Sequence, residues 1–138
     1  MNVNNDLKSA LQATLEEMFF LEVAEPKFFW ARVMVQEPFS GAVTLVFPRP
    51  LLETVAAGLM PDQETLDERT LGDILAELVN TVAGRLVSLV VDESTTFKLN
   101  VPDVGTGWPQ SGLCPAAIQP YEIEGRLFMV LLEGENLV

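Results

Sequence analysis

Apolar and polar positions recur with a helical period over residues 73–84, Asp-Ile-Leu-Ala-Glu-Leu-Val-Asn-Thr-Val-Ala-Gly, and place Asp73, Glu77, Asn80 and Gly84 on one stripe. At about 100° per residue these four fall within about 60° of the helical wheel, while Leu71, Ile74, Leu75, Leu78, Val82 and Leu86 cover the opposite side. The pattern predicts a long helix that ends at Val91 or Asp92. Two capping boxes compete for its start, Thr65-Leu66-Asp67-Glu68 and Thr70-Leu71-Gly72-Asp73.

The same period appears near the start of the chain, where Asn5 can cap a helix carrying Leu7, Leu11, Leu15, Met18 and Phe19 until Pro26 ends it. This is expected to be an amphipathic packing helix. Residues 27–36 and 42–47 alternate in the manner of strands around the turn Glu37-Pro38-Phe39-Ser40-Gly41, which predicts a hairpin. A short helix over 51–60 stops before Pro61. After the long helix, 95–101 reads as a strand, the Pro- and Gly-rich stretch 102–115 as a loop, and 118–123 with 126–133 as a terminal hairpin around Glu124-Gly125. The order of elements predicts an α+β fold with helices packed on one face of a largely antiparallel sheet.

With 138 residues the chain is expected to form a single domain over 1–138, and 49% apolar residues is a globular composition. The longest apolar run, 127–132, is far shorter than the ~18 residues of a membrane span, and the first residues do not resemble a secretory signal, so a cytoplasmic protein is expected. A net charge of -12 repels nucleic acid and anionic membranes alike, and neither is expected as a partner. Cys114 is the one cysteine and histidine is absent, which excludes an internal disulfide, the usual zinc sites and the Ser-His or Cys-His nucleophile pairs. Chemistry on this chain must run on carboxylates, amides, hydroxyls or amines.

Asn80 is the informative residue of the stripe. Asparagine competes for backbone hydrogen bonds and is a mediocre helix former, so its place in mid-helix asks for a reason. Gly84 costs up to ~1 kcal/mol against alanine in a helix, which calls for close approach of a partner or another strand. Glu77 can be a solvated helix residue or pair with Thr81. Asp73 serves equally as a cap through Thr70 or as a contact for a partner. Gly105-Thr106-Gly107 reads as a turn, Cys114 as a buried or inert thiol, and Trp30 as core within its strand.

The run Asp73-x-x-x-Glu77-x-x-Asn80, with Gly84 after it and Pro102 closing the next strand, resembles the active-site signature of the chemotaxis phosphatase family of CheC, CheX and FliY. The family pattern has an Asp or Ser, a Glu and an Asn at these spacings and then a proline. The 21 residues from Thr81 to Val101 make that last interval one residue shorter here. In the first helix a second copy would need an Asn three residues after a Glu, but Phe19 follows Glu16 and Phe20 follows Glu17, so the resemblance is to the one-site, CheX type.

The resemblance implies a substrate, the aspartyl phosphate of a CheY-like response regulator, whose own Mg²⁺ and lysine hold the phosphoryl group. No cofactor or metal ligand would belong to this chain. Asn80 would orient the attacking water, Glu77 would dock the regulator's lysine, and Asp73, Thr81 and Gly84 would contact the partner. A non-catalytic regulator-binding or dimeric module of the same fold would use the same surface and differ only in whether Asn80 accelerates hydrolysis. The resemblance also implies a homodimer. Strand 126–133, apolar until Glu133, would aggregate if left as an open edge, and symmetric pairing of edges would cover it.

Overall fold

A computed structural model describes residues 3–24, 26–62, 66–110 and 112–138. The elements run α1 (Val3–Gln12), β1 (Phe28–Glu37), β2 (Gly41–Pro48), α2 (Arg49–Leu59), α3 (Glu68–Val90), β3 (Lys98–Leu99), β4 (Asp103–Thr106), β5 (Ala116–Ile123) and β6 (Arg126–Glu133). The strands form one antiparallel sheet in the order β3-β1-β2-β6-β5, with β4 also paired to β1.

Both expected hairpins form. In β1 every second residue, Phe29, Ala31, Val33 and Val35, is buried, as a period of two requires when one face meets helices. In β2 burial is continuous from Gly41 to Phe47, because the strand lies between β1 and β6 and both of its faces are covered. The turn between β5 and β6 has Glu124 and Gly125 at φ 51° and 82°, the paired positive dihedrals of a two-residue hairpin turn. Helices α2 and α3 pack on the face of Phe29, Val33, Val43 and Leu45 through Leu51, Leu52, Leu71, Leu75, Val79 and Ala83. The α+β architecture is the one the order of elements predicts.

Several local expectations are corrected. The strand expected over 95–101 shrinks to the two residues of β3. The expected loop contains β4, where Gly105 and Thr106 are strand residues rather than a turn, and the chain leaves the sheet at Gly107 with φ 83°. A side chain at Gly105 would overlap the half-buried Trp30 indole, so this glycine lets β4 lie against β1. Strand β6 is no edge, since it lies between β2 and β5. The open edge on that side is β5, which carries Pro120. Cys114 is exposed. Helix α1 continues into a π-helical segment, Ala13–Glu17, and has no buried residue, so it does not pack on the core of its own chain.

The start of α3 is set by Asp67, whose carboxylate accepts the Thr70 backbone N–H at 2.8 Å. Neither threonine box supplies the cap, and Thr65 lies outside the described residues. Hydrogen bonds from the Thr70 hydroxyl and then its backbone N–H hold the Asp67 carboxyl below the ordinary carboxylate range. A lowered folded value means that this contribution is present above the unfolded value and is lost as pH falls through the folded one. Asp67→Asn keeps an acceptor at the cap, so thermal melts from about pH 5 to about pH 3 should show a smaller fall in Tm for that variant than for wild type.

On the face away from the helices, Glu133 of β6 is buried, with only 1% of its surface exposed. One carboxylate oxygen accepts the backbone N–H groups of Gly112 and Leu113 at 2.8 and 2.9 Å, and the other lies 3.2 Å from Nη2 of Arg32 in an ion pair without hydrogen-bond alignment. Arg32 Nε also donates to the buried Thr44 hydroxyl at 2.9 Å, and Nη2 donates to the Gln110 carbonyl at 2.6 Å. This network ties β1, β2, β6 and the segment before β5 together.

Candidate functional site

Which face of α3 meets the sheet decides which residues are presented outward. Leu71, Gly72, Ile74, Leu75, Val79, Ala83 and Val87 are buried. At Gly72 the helix passes over Val104 of β4, close enough that a methyl group there would touch its side chain at 3.7 Å. The buried arc is therefore turned from the expected one toward Val79, Ala83 and Val87. Leu78 and Leu86 are half-buried and Val82 is exposed, all three on one rim of the packed face.

With that face fixed, Asp73, Glu77, Asn80 and Thr81 are exposed and Gly84 is half-exposed. The stripe from Asp73 to Gly84 extends about 16 Å along the axis, and neighbours three or four apart have Cβ atoms about 5–6 Å apart. The structure thus brings all five residues together on a rigid helix. The Asp73, Glu77 and Asn80 side chains make no hydrogen bond or ion pair with any described residue. Thr81 donates its hydroxyl to the Glu77 backbone carbonyl at 3.0 Å, so the carboxylate of Glu77 does not pair with it. Asp73 lies beyond the first turn and does not cap, because Asp67 does.

Gly84 has open space where a side chain would be: a Cβ would meet nothing within 4 Å. Among the described residues, no other strand approaches it closely. Two shallow hollows flank the stripe. One, of about 590 Å³, lies beside Asn80, Thr81 and Gly84 and is bounded by Arg85, Ser88, Leu89 and Phe97. The other, of about 370 Å³, lies beside Asp73 and Glu77 and is bounded by Leu59 and Met60 at the end of α2. Leu59, Met60 and Leu89 are all exposed, and they put apolar rims on both ends of a polar strip, the composition of a surface that receives another protein. Sequence periodicity missed these neighbours because Leu59, Met60 and Phe97 belong to other elements. Leu89 could have been found, since it continues an apolar row past the buried arc.

Unspent hydrogen-bonding groups on a fixed exposed helix can act on a ligand without first breaking internal bonds. A carboxylate can pair with a cation, and an amide can both accept from a water and donate to an anion. Among the described residues, no three Asp, Glu or Cys side chains come together as a metal site, and no helix is long and apolar enough to cross a membrane.

A family model described as chemotaxis phosphatase CheX matches residues 29–124, which include the whole stripe and Pro102 and leave α1 outside. Comparison with curated proteins gives no significant match. Among solved structures, the chain is similar to chemotaxis protein CheX from Desulfovibrio desulfuricans, at 15% identity and TM-score 0.65 over 96% of this chain and 98% of that one. It is also similar to CheX from Vibrio vulnificus, at 18% identity and TM-score 0.60 over 90% and 93%. A third similar structure is the CheX-CheY-BeF3-Mg²⁺ complex from Borrelia burgdorferi, at 18% identity and TM-score 0.63 over 96% and 97%.

Proposed function

The chain belongs to the CheX family of chemotaxis phosphatases, and from that membership we propose that it hydrolyses the aspartyl phosphate of a CheY-like response regulator at the polar stripe of α3. The observation that carries this reading is the placement of Glu77 and Asn80 on one exposed face, with no partner for either side chain among the described residues. An acyl phosphate needs little covalent help. Its hydrolysis depends on placing a water in line with phosphorus and on balancing charge. Asn80 does the first, because its amide accepts from the water and donates to the phosphoryl oxygens without adding negative charge. Glu77 pairs with the lysine in the regulator's active site and fixes the docking. The regulator brings Mg²⁺ with its phosphoryl group, as the similarity to the Borrelia complex supports.

Gly84 and the two hollows set the approach. With no side chain one turn beyond Asn80, the partner's backbone can come close to the amide. Gly84→Ala gains helix propensity and meets no internal clash, so it should raise unfolding stability by about 0.5–1 kcal/mol in urea titrations. The same variant should bind a beryllofluoride-activated regulator more weakly than wild type. Unchanged affinity would show that the contact lies elsewhere.

The turnover test uses substoichiometric protein and a regulator phosphorylated by acetyl phosphate in the presence of Mg²⁺. Phosphate release faster than the regulator's own hydrolysis supports the enzyme. Binding without acceleration would leave the non-catalytic module of the same fold. As part of the proposal the chain works as a homodimer that keeps the stripe exposed, with β5 as the available edge on its side of the sheet.

A further inference from the structure

Arg85 is exposed, borders the hollow of about 590 Å³ beside Asn80, and makes no side-chain hydrogen bond or ion pair with any described residue. It follows Asn80 by five residues, about 7.5 Å along the helix axis. Several other cations pair internally: Arg32 with Glu133, Arg49 with Glu53 and Glu68, and Lys27 with Glu68. Arg69 lies one turn before Asp73, and its charge acts on Asp67. Among the described residues, Arg85 is the one basic side chain that borders either hollow.

Electrostatics gives an unpaired cation at this place a consequence. The chain carries a net charge of -12, and Asp73 and Glu77 put two carboxylates on the stripe itself. On the phosphatase reading, the surface that docks there is acidic as well, because an Mg²⁺ on a phosphoryl group is also held through carboxylates. Glu77 meets the regulator's lysine. Apart from that pair, docking sets like charges against each other, which slows encounter and weakens the complex.

The hollow around Arg85 suits an ion pair. Leu89, one turn beyond it and 84% exposed, and the half-buried Phe97 give the hollow apolar walls, beside which a seated ion pair is less screened by water. Thr81 and Ser88, four residues before Arg85 and three after it, already donate their hydroxyls to the Glu77 and Gly84 carbonyls at 3.0 and 2.9 Å. The side-chain donors left in the hollow are therefore the Asn80 amide and the Arg85 guanidinium, whose planar fork matches a carboxylate.

We propose that Arg85 is a specificity-determining residue that takes a surface carboxylate beside the regulator's phosphorylation site as a bidentate ion pair, against Leu89 and Phe97. A regulator with a neutral or basic side chain at that place is then a poor substrate. The inference rests on the phosphatase reading and leaves the chemistry to Asn80.

The test follows turnover of a CheY-like regulator encoded in the same genome, phosphorylated by acetyl phosphate with Mg²⁺, by wild type, Arg85→Ala, Arg85→Lys and Arg85→Glu. Arg85→Ala should raise KM about tenfold and Arg85→Glu about a hundredfold, while kcat stays within about twofold of wild type. Arg85→Lys should fall between wild type and Arg85→Ala, since a point charge replaces the fork. With rising salt, the KM of wild type should climb more steeply than that of Arg85→Ala. When the regulator's exposed Asp and Glu residues near the phosphorylation site are changed to Arg one at a time, one variant should be dephosphorylated better by Arg85→Glu than by wild type. An unchanged KM, a lower kcat at constant KM, or the lack of any such compensating regulator variant would each overturn the assignment. Affinities for the beryllofluoride-activated regulator separate the two readings. Weaker binding by Arg85→Ala without turnover by wild type upholds the contact and refutes the phosphatase, and turnover by wild type with equal affinity in Arg85→Ala does the reverse.

Discussion

Asn80→Ala should lower the rate of regulator dephosphorylation by roughly two to three orders of magnitude, the usual cost of deleting one positioned hydrogen-bonding side chain from a reaction centre. Affinity for a beryllofluoride-activated regulator should change little, because the amide acts on the water and the phosphoryl group rather than on docking. Glu77→Ala should differ in kind, with weaker binding and slower turnover together. Neither side chain has a partner among the described residues, and both are exposed, so circular dichroism and Tm should stay near wild type for both variants. Equal rates for wild type and Asn80→Ala would remove the enzyme reading and leave the binding module.

Glu133→Ala should have the largest effect on stability. Removing one partner of a buried ion pair leaves the other charge without compensation, at a cost of about 3–5 kcal/mol. Here the loss also frees the backbone N–H groups of Gly112 and Leu113. A domain of this size is stable by only about 5–15 kcal/mol in total, so the urea midpoint should fall by a large fraction. Glu133→Gln keeps an acceptor for the two N–H groups and should lose less. The network lies on the face away from α3, and the folded fraction of either variant should dephosphorylate the regulator as wild type does. A midpoint unchanged in Glu133→Ala would show that the network contributes nothing net.

The stripe was legible in the sequence because helical period is local: Asp73, Glu77, Asn80 and Gly84 share a face wherever that helix packs. Both hairpins were legible for the same reason, since turn chemistry at 37–41 and at Glu124-Gly125 acts over a few residues. The place of β6 in the sheet was not, because pairing with β2 joins residues some 85 positions apart and nothing local encodes it. Strand β4 was hidden by its composition. Asp103, Val104, Gly105 and Thr106 bury little, and they form a strand only because β1 presents an edge and Gly105 clears Trp30.

The cap was misplaced for a subtler reason. Asp67, Thr70 and Asp73 recur three apart, and each fits some part of a capping motif. Only the carboxylate of Asp67 meets the Thr70 N–H, which leaves Asp73 free to face a partner. The first helix was read correctly as amphipathic and wrongly as covered. Periodicity reports that a face is apolar, but it carries no information on what lies against it.

The most direct measurement is a structure of this chain bound to a CheY-like regulator carrying Mg²⁺ and beryllofluoride on its phosphorylated aspartate. The account requires the Asn80 amide within hydrogen-bond reach of the beryllofluoride or of a water in line with it, and the Glu77 carboxylate paired with the regulator's lysine. A complex in which the beryllofluoride faces another part of the chain, or in which the α3 stripe lies outside the interface, would contradict it.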